Sequence, residues 1–429
     1  MTSASSVRDA INARIDADRD MLVELLRQFL RIRSVNPPGD TREAADFVRG
    51  ILDRFGVPHR TLSAVAEMPN IVGRWDGARP GKHLVLNGHM DVFPVSNEAL
   101  WAAELRDGRI YGRGASDMKT GTLAAIMAYG YLHEHRAALA GALSLTVVSD
   151  EQSGGRYGTR FLFEQHPGVV AADACLNGEP SGLGNLRFME KGTLRFSLSS
   201  SGIGGHGGYP HQAPNPIERI IRLTSRIYEL YHLKLGDLPP EVDAILTSPE
   251  TVRTADALLG AGAAENARRI TVNIGIINGG LKATQIPTAC TAHLDIRTPL
   301  GTDRDVLRAE LLALADEHGC TMVVNEDHSY PASMTDPEGE LAQILRRNTR
   351  ELLGLDAPPV CSLGGTDARY WRWRGIPAVI CGPSNISMGT DQEHVTVEEA
   401  IAVIRLQALC AADYLAGTHR ADEPARGGA

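Results

Sequence analysis

Apolar residues recur at three- and four-residue steps over residues 7–33, through Ile11, Ile15, Leu22, Leu25, Leu26, Phe29 and Leu30. That spacing predicts a helix with one buried face. Asn36-Pro37-Pro38-Gly39 ends it. Residues 41–55 repeat the helical spacing. Short apolar runs of strand length follow at 69–75, 83–86, 142–149 and 174–177, with helical spacing at 120–133 and 158–164. Strands that alternate with helices predict an α/β domain with a largely parallel central sheet.

The pattern changes near residue 193. Half-buried alternation at 193–200, 269–277 and 290–297, and a run at 320–326, flank helical stretches at 216–232 and 302–317. The order β-α-β-β-α-β is that of a ferredoxin-like unit. A loop rich in Gly, Pro and His at 202–214 and a long irregular stretch at 236–266 are expected between these elements. Thr302 and Asp305 supply a capping box for the helix that follows. Helix and strand then resume at 337–353, at 376–381 and in a last helix to about residue 416, started by Thr396 and Glu399. A catalytic domain of residues 1–192 and 329–429 is therefore expected, with a lid or dimerisation domain inserted at 193–328. The polar tail beyond residue 416 is expected to fray.

Composition narrows the picture. With 429 residues, 43% of them hydrophobic, the chain is too long for one ordinary core. A net charge of −9 without a basic block argues against nucleic acid and anionic membrane as partners. No apolar run reaches about 18 residues, and the first twenty residues hold no apolar signal core. A cytoplasmic protein is expected. Cys175, Cys290, Cys320, Cys361, Cys381 and Cys410 are scattered without a Cys-x-x-Cys, which predicts reduced, buried thiols.

Polar residues collect where the apolar runs stop. The run His83-Leu84-Val85-Leu86-Asn87-Gly88 ends on His89, and Asp91 follows two residues later. Asp91 is placed to accept the second ring N–H of His89 and so fix its tautomer. Asp117, Glu151 with Gln152, Glu179 and His394 also sit at strand ends or in adjoining loops. Ligands of open α/β sheets bind outside the carboxyl ends of the strands. Oxygen and imidazole groups gathered there suit a divalent cation. His133 and His135, near a helix end, read as solvated.

Taken in order, Gly88-His89-Met90-Asp91-Val92, Gly112-Arg113-Gly114 through Asp117-Met118-Lys119, Ser149-Asp150-Glu151, Gly178-Glu179-Pro180, Gly205-His206 and Glu393-His394 resemble the co-catalytic metallopeptidase family. That family holds aminoacylases, acetylornithine deacetylase, succinyl-diaminopimelate desuccinylase and bacterial glutamate carboxypeptidase. The resemblance spans residues 20–415 and implies a hydrolase-like α/β catalytic domain with a ferredoxin-like insert. It implies that His89 and Glu179 bind one metal, that Asp117 bridges to a second, and that Glu151 is the general base. It also implies that His206 reaches a partner subunit's site to stabilise an oxyanion, hence a homodimer through the lid domain. Asn273, Arg297 and the loop around Gly365 match substrate contacts of the family. For Arg297 a salt bridge within the lid is an equal alternative.

One position departs from the family pattern. Gln152 stands where a second glutamate is usual, so a second site built from Gln152 and His394 is expected to be weak or vestigial. A single divalent ion (zinc, manganese or cobalt) is the sharper expectation. The activity implied is hydrolysis of a C–N bond in a small anionic substrate, an N-acyl amino acid or a dipeptide-like carboxylate. Two alternatives stay open. One is a single-metal aminohydrolase displacing an amine from an aromatic carboxylate such as 5-nitroanthranilate; His206, Tyr209, His211 and Arg369 suit a flat anionic substrate as readily as an acyl amino acid. The other is a non-catalytic ligand-binding member.

Overall fold

The computed structural model describes residues 4–416; the polar tail beyond lies outside them. Two compact units form. One takes the residues up to Leu186, Thr335–Ala357 and those from Tyr370 on; the other takes Arg187–Met334 and Pro358–Arg369. The second unit thus includes residues 358–369, which the sequence reading assigns to the catalytic domain.

The first unit is mixed α/β. Its strands run in the order Arg60–Ser63, Pro69–Asp76, Ala140–Val148, Arg79–His89, Ala174–Asn177, Ala378–Ile380. The first two joins are antiparallel and the last three parallel. The parallel strands are buried continuously through their carboxyl-terminal halves, and Ala174–Asn177 throughout, as a sheet covered on both faces requires. Helix Lys119–Glu134 is buried on all sides and packs on Val397–Ala416. Its Gly121 lies so close to Gly178 that a Cβ would stand 1.8 Å from the Gly178 carbonyl oxygen. That approach fixes the backbone just before Glu179.

The second unit has a four-stranded antiparallel sheet in the order Thr271–Gly279, Ala289–Thr298, Gly192–Ser201, Thr321–Val324. With helices Pro216–Tyr231 and Arg304–Glu317 this is the ferredoxin-like order. Its core joins Leu194, Phe196 and Leu198 to Ile220, Leu223, Ile227, Leu307 and Leu311. A further strand, Leu186–Glu190, pairs with Ser333–Met334 and Pro359–Ser362.

Several local expectations need correction. Residues 7–33 form two helices, Ala4–Ala17 and Arg19–Arg31, parted at Asp18. The stretch 236–266 is not irregular; it holds helices Pro240–Leu246, Pro249–Leu259 and Ala263–Ala267. Asp303, not Thr302, caps the helix Arg304–Glu317, accepting from the amides of Asp305 and Val306. The Thr396 hydroxyl does accept from the Glu399 amide. All six cysteines are free and buried. Among the described residues no helix is long and apolar enough to cross a membrane.

Candidate metal centre

Three parallel strands end side by side, and a ladder of buried amides ties their ends. Asn177 Nδ2 donates to Asn87 Oδ1 at 2.7 Å, and Asn87 Nδ2 donates to Thr146 Oγ1 at 3.1 Å. His89 ends the middle strand. Its Nδ1 lies 2.9 Å from the Asp91 carbonyl and 3.4 Å from Asp91 Oδ1. The nearer partner on that side is thus the backbone carbonyl of Asp91, with the carboxylate behind it. An Nδ1–H donated there leaves Nε2 with its lone pair facing the other way.

On that other side three acids converge. Nε2 is 3.1 Å from Asp117 Oδ1, 3.5 Å from Glu179 Oε1 and 3.9 Å from Glu151 Oε2. His89 and Glu179 are buried, and the Glu151 side chain keeps only 12% exposure. Single donor atoms of His89, Glu151 and Glu179 lie within 4.8 Å of one another. Burial opposes charge on the His89 ring. The Asp117 and Asp91 carboxylates beside it, with the field of Glu179, nonetheless raise its pKa well above the ordinary imidazole value. Such a concentration of negative groups out of water calls for a positive partner. One imidazole and several carboxylate oxygens form a donor set that divalent cations accept, so the residues present fit a metal ion.

A second layer holds these groups. Asp91 Oδ1 accepts from the Glu151 amide at 3.2 Å; Asp91 Oδ2 accepts from the Gln152 amide at 3.0 Å and from Asn36 Nδ2 at 2.9 Å. Burial works against the charged Asp91 carboxylate, yet these bonds and His89 bring its pKa below the usual value. Asn36 Nδ2 also reaches Asp150 Oδ1 at 3.1 Å, and Asn36 Oδ1 accepts from Ser153 Oγ at 2.7 Å. One buried amide therefore spans the Asp91 and Asp150 carboxylates and the loop carrying Glu151.

Gln152 lies beside the centre, its Nε2 donating to Asp117 Oδ2 at 3.1 Å. His394 Nδ1 pairs with the Gln392 carbonyl at 2.7 Å, which leaves Nε2 unprotonated in the neutral ring, and the ring packs on Tyr111 at 5.1 Å.

The remaining sequence candidates lie in the second unit. His206 is exposed in the two-residue strand Gly205–His206; its Nδ1 accepts from the Gly208 amide, which leaves Nε2 to carry the proton. Tyr209 sits against both His206 and His211. Asn273 is exposed opposite Asp295. Asp295 also takes the Arg297 guanidinium through two bonds of 2.8 Å, a salt bridge within this unit. Arg369 is buried with its guanidinium 4.6 Å over the Tyr330 ring. At Gly365 a Cβ would meet the Tyr330 hydroxyl at 1.9 Å, so any larger residue there would have to displace that ring.

Sequence reasoning gave no role to Asn36, Arg113 or Glu393. Arg113 and Glu393 are 2% and 1% exposed and pair with each other. Charged residues between glycines or beside a histidine carry a weak signal, because their burial is set by partners far along the chain.

Comparison with known proteins shows the family and the fold. The model of peptidase family M20/M25/M40 matches residues 85–413. Succinyl-diaminopimelate desuccinylase of Xylella fastidiosa is 32% identical over 337 residues, covering 75% of this chain and 80% of the relative. The enzyme of that name from Paracoccus denitrificans is 30% identical, covering 81% and 86%. An M20 family metallo-carboxypeptidase from Sulfolobus solfataricus has the same fold, with a TM-score of 0.78 at 18% identity over 92% of this chain and 99% of that one. A Bacillus subtilis structure described as a dinuclear metal-binding M20 peptidase superposes with a TM-score of 0.66 at 14% identity, covering 93% and 99%. The chain belongs to peptidase family M20/M25/M40 and is a metal-dependent hydrolase acting on C–N bonds.

Proposed function

We propose that this enzyme cleaves the amide of an N-acyl amino acid, or of a dipeptide-like small carboxylate, with one divalent cation held by His89, Asp117 and Glu179. The convergence of Asp117, Glu179 and Glu151 on His89 Nε2 carries the reading. A bound cation of this kind (zinc, manganese or cobalt) supplies Lewis acidity and lowers the pKa of its water. Glu151 takes a proton from the attacking water and later delivers one to the leaving nitrogen. Asp91 holds the His89 ring and, through the amides of Glu151 and Gln152, the loop that carries the base. His206, presented across a homodimer formed by the lid unit, stabilises the developing oxyanion. Asn273, the loop at Gly365, Tyr209, His211 and Arg369 line the substrate; Arg297 joins them only if the substrate carboxylate displaces Asp295. Relatives named for desuccinylation support the acyl-amino-acid class. The second cation position is weak, because Gln152 is neutral and its amide donates to Asp117 rather than offering a charged oxygen. A cytoplasmic location fits the absence of an apolar spanning helix among the described residues. No observation favours the aromatic-amine alternative over this one.

The test is Glu151→Gln. Turnover of N-succinyl and N-acetyl amino acids is expected to fall by about 10²- to 10⁴-fold while bound metal is unchanged. Undiminished turnover would contradict the assignment of the base.

A further inference from the structure

Glu393 is more deeply built into the centre than the histidine that follows it. Its Oε1 accepts from three amides of one loop: Gly114 at 3.0 Å, Ser116 at 3.0 Å and Asp117 at 3.2 Å. Its Oε2 faces Arg113 Nη1 and the Gly389 amide at 3.3 Å. Arg113 Nη2 in turn donates to the carbonyls of Pro94 and Gly389. The Glu393 carbonyl accepts from the Gly112 amide, and the next residues pair with the strand before the loop, His394 opposite Tyr111. The 112–117 loop is thus gripped from both its ends by one residue. Backbone amides converging on a carboxylate make a nest, a rigid arrangement that holds its own φ and ψ angles. Fixing the Asp117 amide fixes the direction in which its Cβ and carboxylate leave the chain. That carboxylate is the one at 3.1 Å from His89 Nε2.

We infer that Glu393 is a positioning residue for the cation: it holds the loop so that Asp117 presents its carboxylate beside His89. The inference rests on the reading of Asp117 as a ligand. An anionic acceptor is needed, because a neutral amide in the same place offers one oxygen, and its NH₂ points donors at Arg113 and the Gly389 amide. A purely structural ion pair would lower stability when broken and leave the cation's surroundings alone. A positioning role moves the cation's affinity and its spectrum. Removal of groups that orient a metal ligand typically weakens binding by about 10- to 100-fold.

The experiment strips the full chain of metal with a chelator and titrates it with Mn²⁺, followed by the electron paramagnetic resonance of the free ion, and with Co²⁺, followed by visible absorption. Glu393→Gln is expected to bind Mn²⁺ about 10- to 100-fold more weakly than wild type and to give a changed Co²⁺ spectrum. Equal affinity and an identical spectrum, even with a lowered melting temperature, would overturn the inference. Wild type that binds neither ion would instead defeat the metal-centre reading. Should the variant fail to fold, hydrogen exchange of metal-free wild type decides. Peptides covering residues 112–118 are expected to be strongly protected, and exchange at the rate of an open loop would overturn the inference.

Discussion

Gln152 Nε2 donates to Asp117 Oδ2 at 3.1 Å while Asp117 Oδ1 faces His89 Nε2, also at 3.1 Å. One carboxylate therefore turns one oxygen to the centre and has the other capped by a neutral amide. A carboxylate that bridges two cations needs both oxygens free, and two cations close together need anionic oxygen to screen their repulsion. Gln152 supplies a donor where such a site requires a charged acceptor.

Gln152→Glu is therefore expected to raise the ions bound per chain above one at saturating Mn²⁺ or Zn²⁺. Without metal it is expected to lower the melting temperature, because the new charge faces Asp117. Elemental analysis and thermal melts of the two forms check this. A variant that still binds a single ion would show that Gln152 does not set the number.

Asn36 joins two buried carboxylates to the loop carrying Glu151. Asn36→Ala leaves both Asp91 and Asp150 short of a donor, and loss of a hydrogen bond to a buried charged group is costly. Urea unfolding is expected to show a loss of about 3 kcal/mol. A loss under about 0.5 kcal/mol, the size of an ordinary surface substitution, would refute the bridging role.

Much of the centre was readable from strand ends. The run 174–177 is a strand with those limits, and the ends of the 79–89, 140–148 and 174–177 strands bring His89, Glu151 and Glu179 together because parallel neighbours finish on one edge. Asn36 was not readable: before two prolines it has the pattern of a turn residue, and its partners lie 55 and 114 residues away. Glu393 and His394 are adjacent in the sequence, but successive residues of an extended segment point to opposite sides, and spacing does not say which one faces inward. The helices at 240–267 were missed because Pro240 and Pro249 read as breakers, whereas each sits in the first turn of its helix.

Lys191 gives the second unit a pH-dependent term. Its Nζ is buried and donates to the carbonyls of Asn266 and Arg269 at 2.9 and 2.6 Å. Burial lowers its pKa to about 8. The unfolded chain keeps this proton to about pH 10.4, so between the two values it binds more protons than the folded chain. Stability from this group then rises with pH across that window and is lost as pH falls through about 8. The stability of wild type relative to Lys191→Met is expected to increase by about 1–2 kcal/mol from pH 8 to pH 10. A constant difference across that range would contradict the shift.

Metal content tests the account most directly. After exhaustive dialysis against metal-free buffer, elemental analysis of the wild-type chain is expected to find one divalent ion per chain, and His89→Ala to find almost none. Two tightly held ions per wild-type chain, or an ion retained undiminished without His89, would contradict a single centre built on that imidazole.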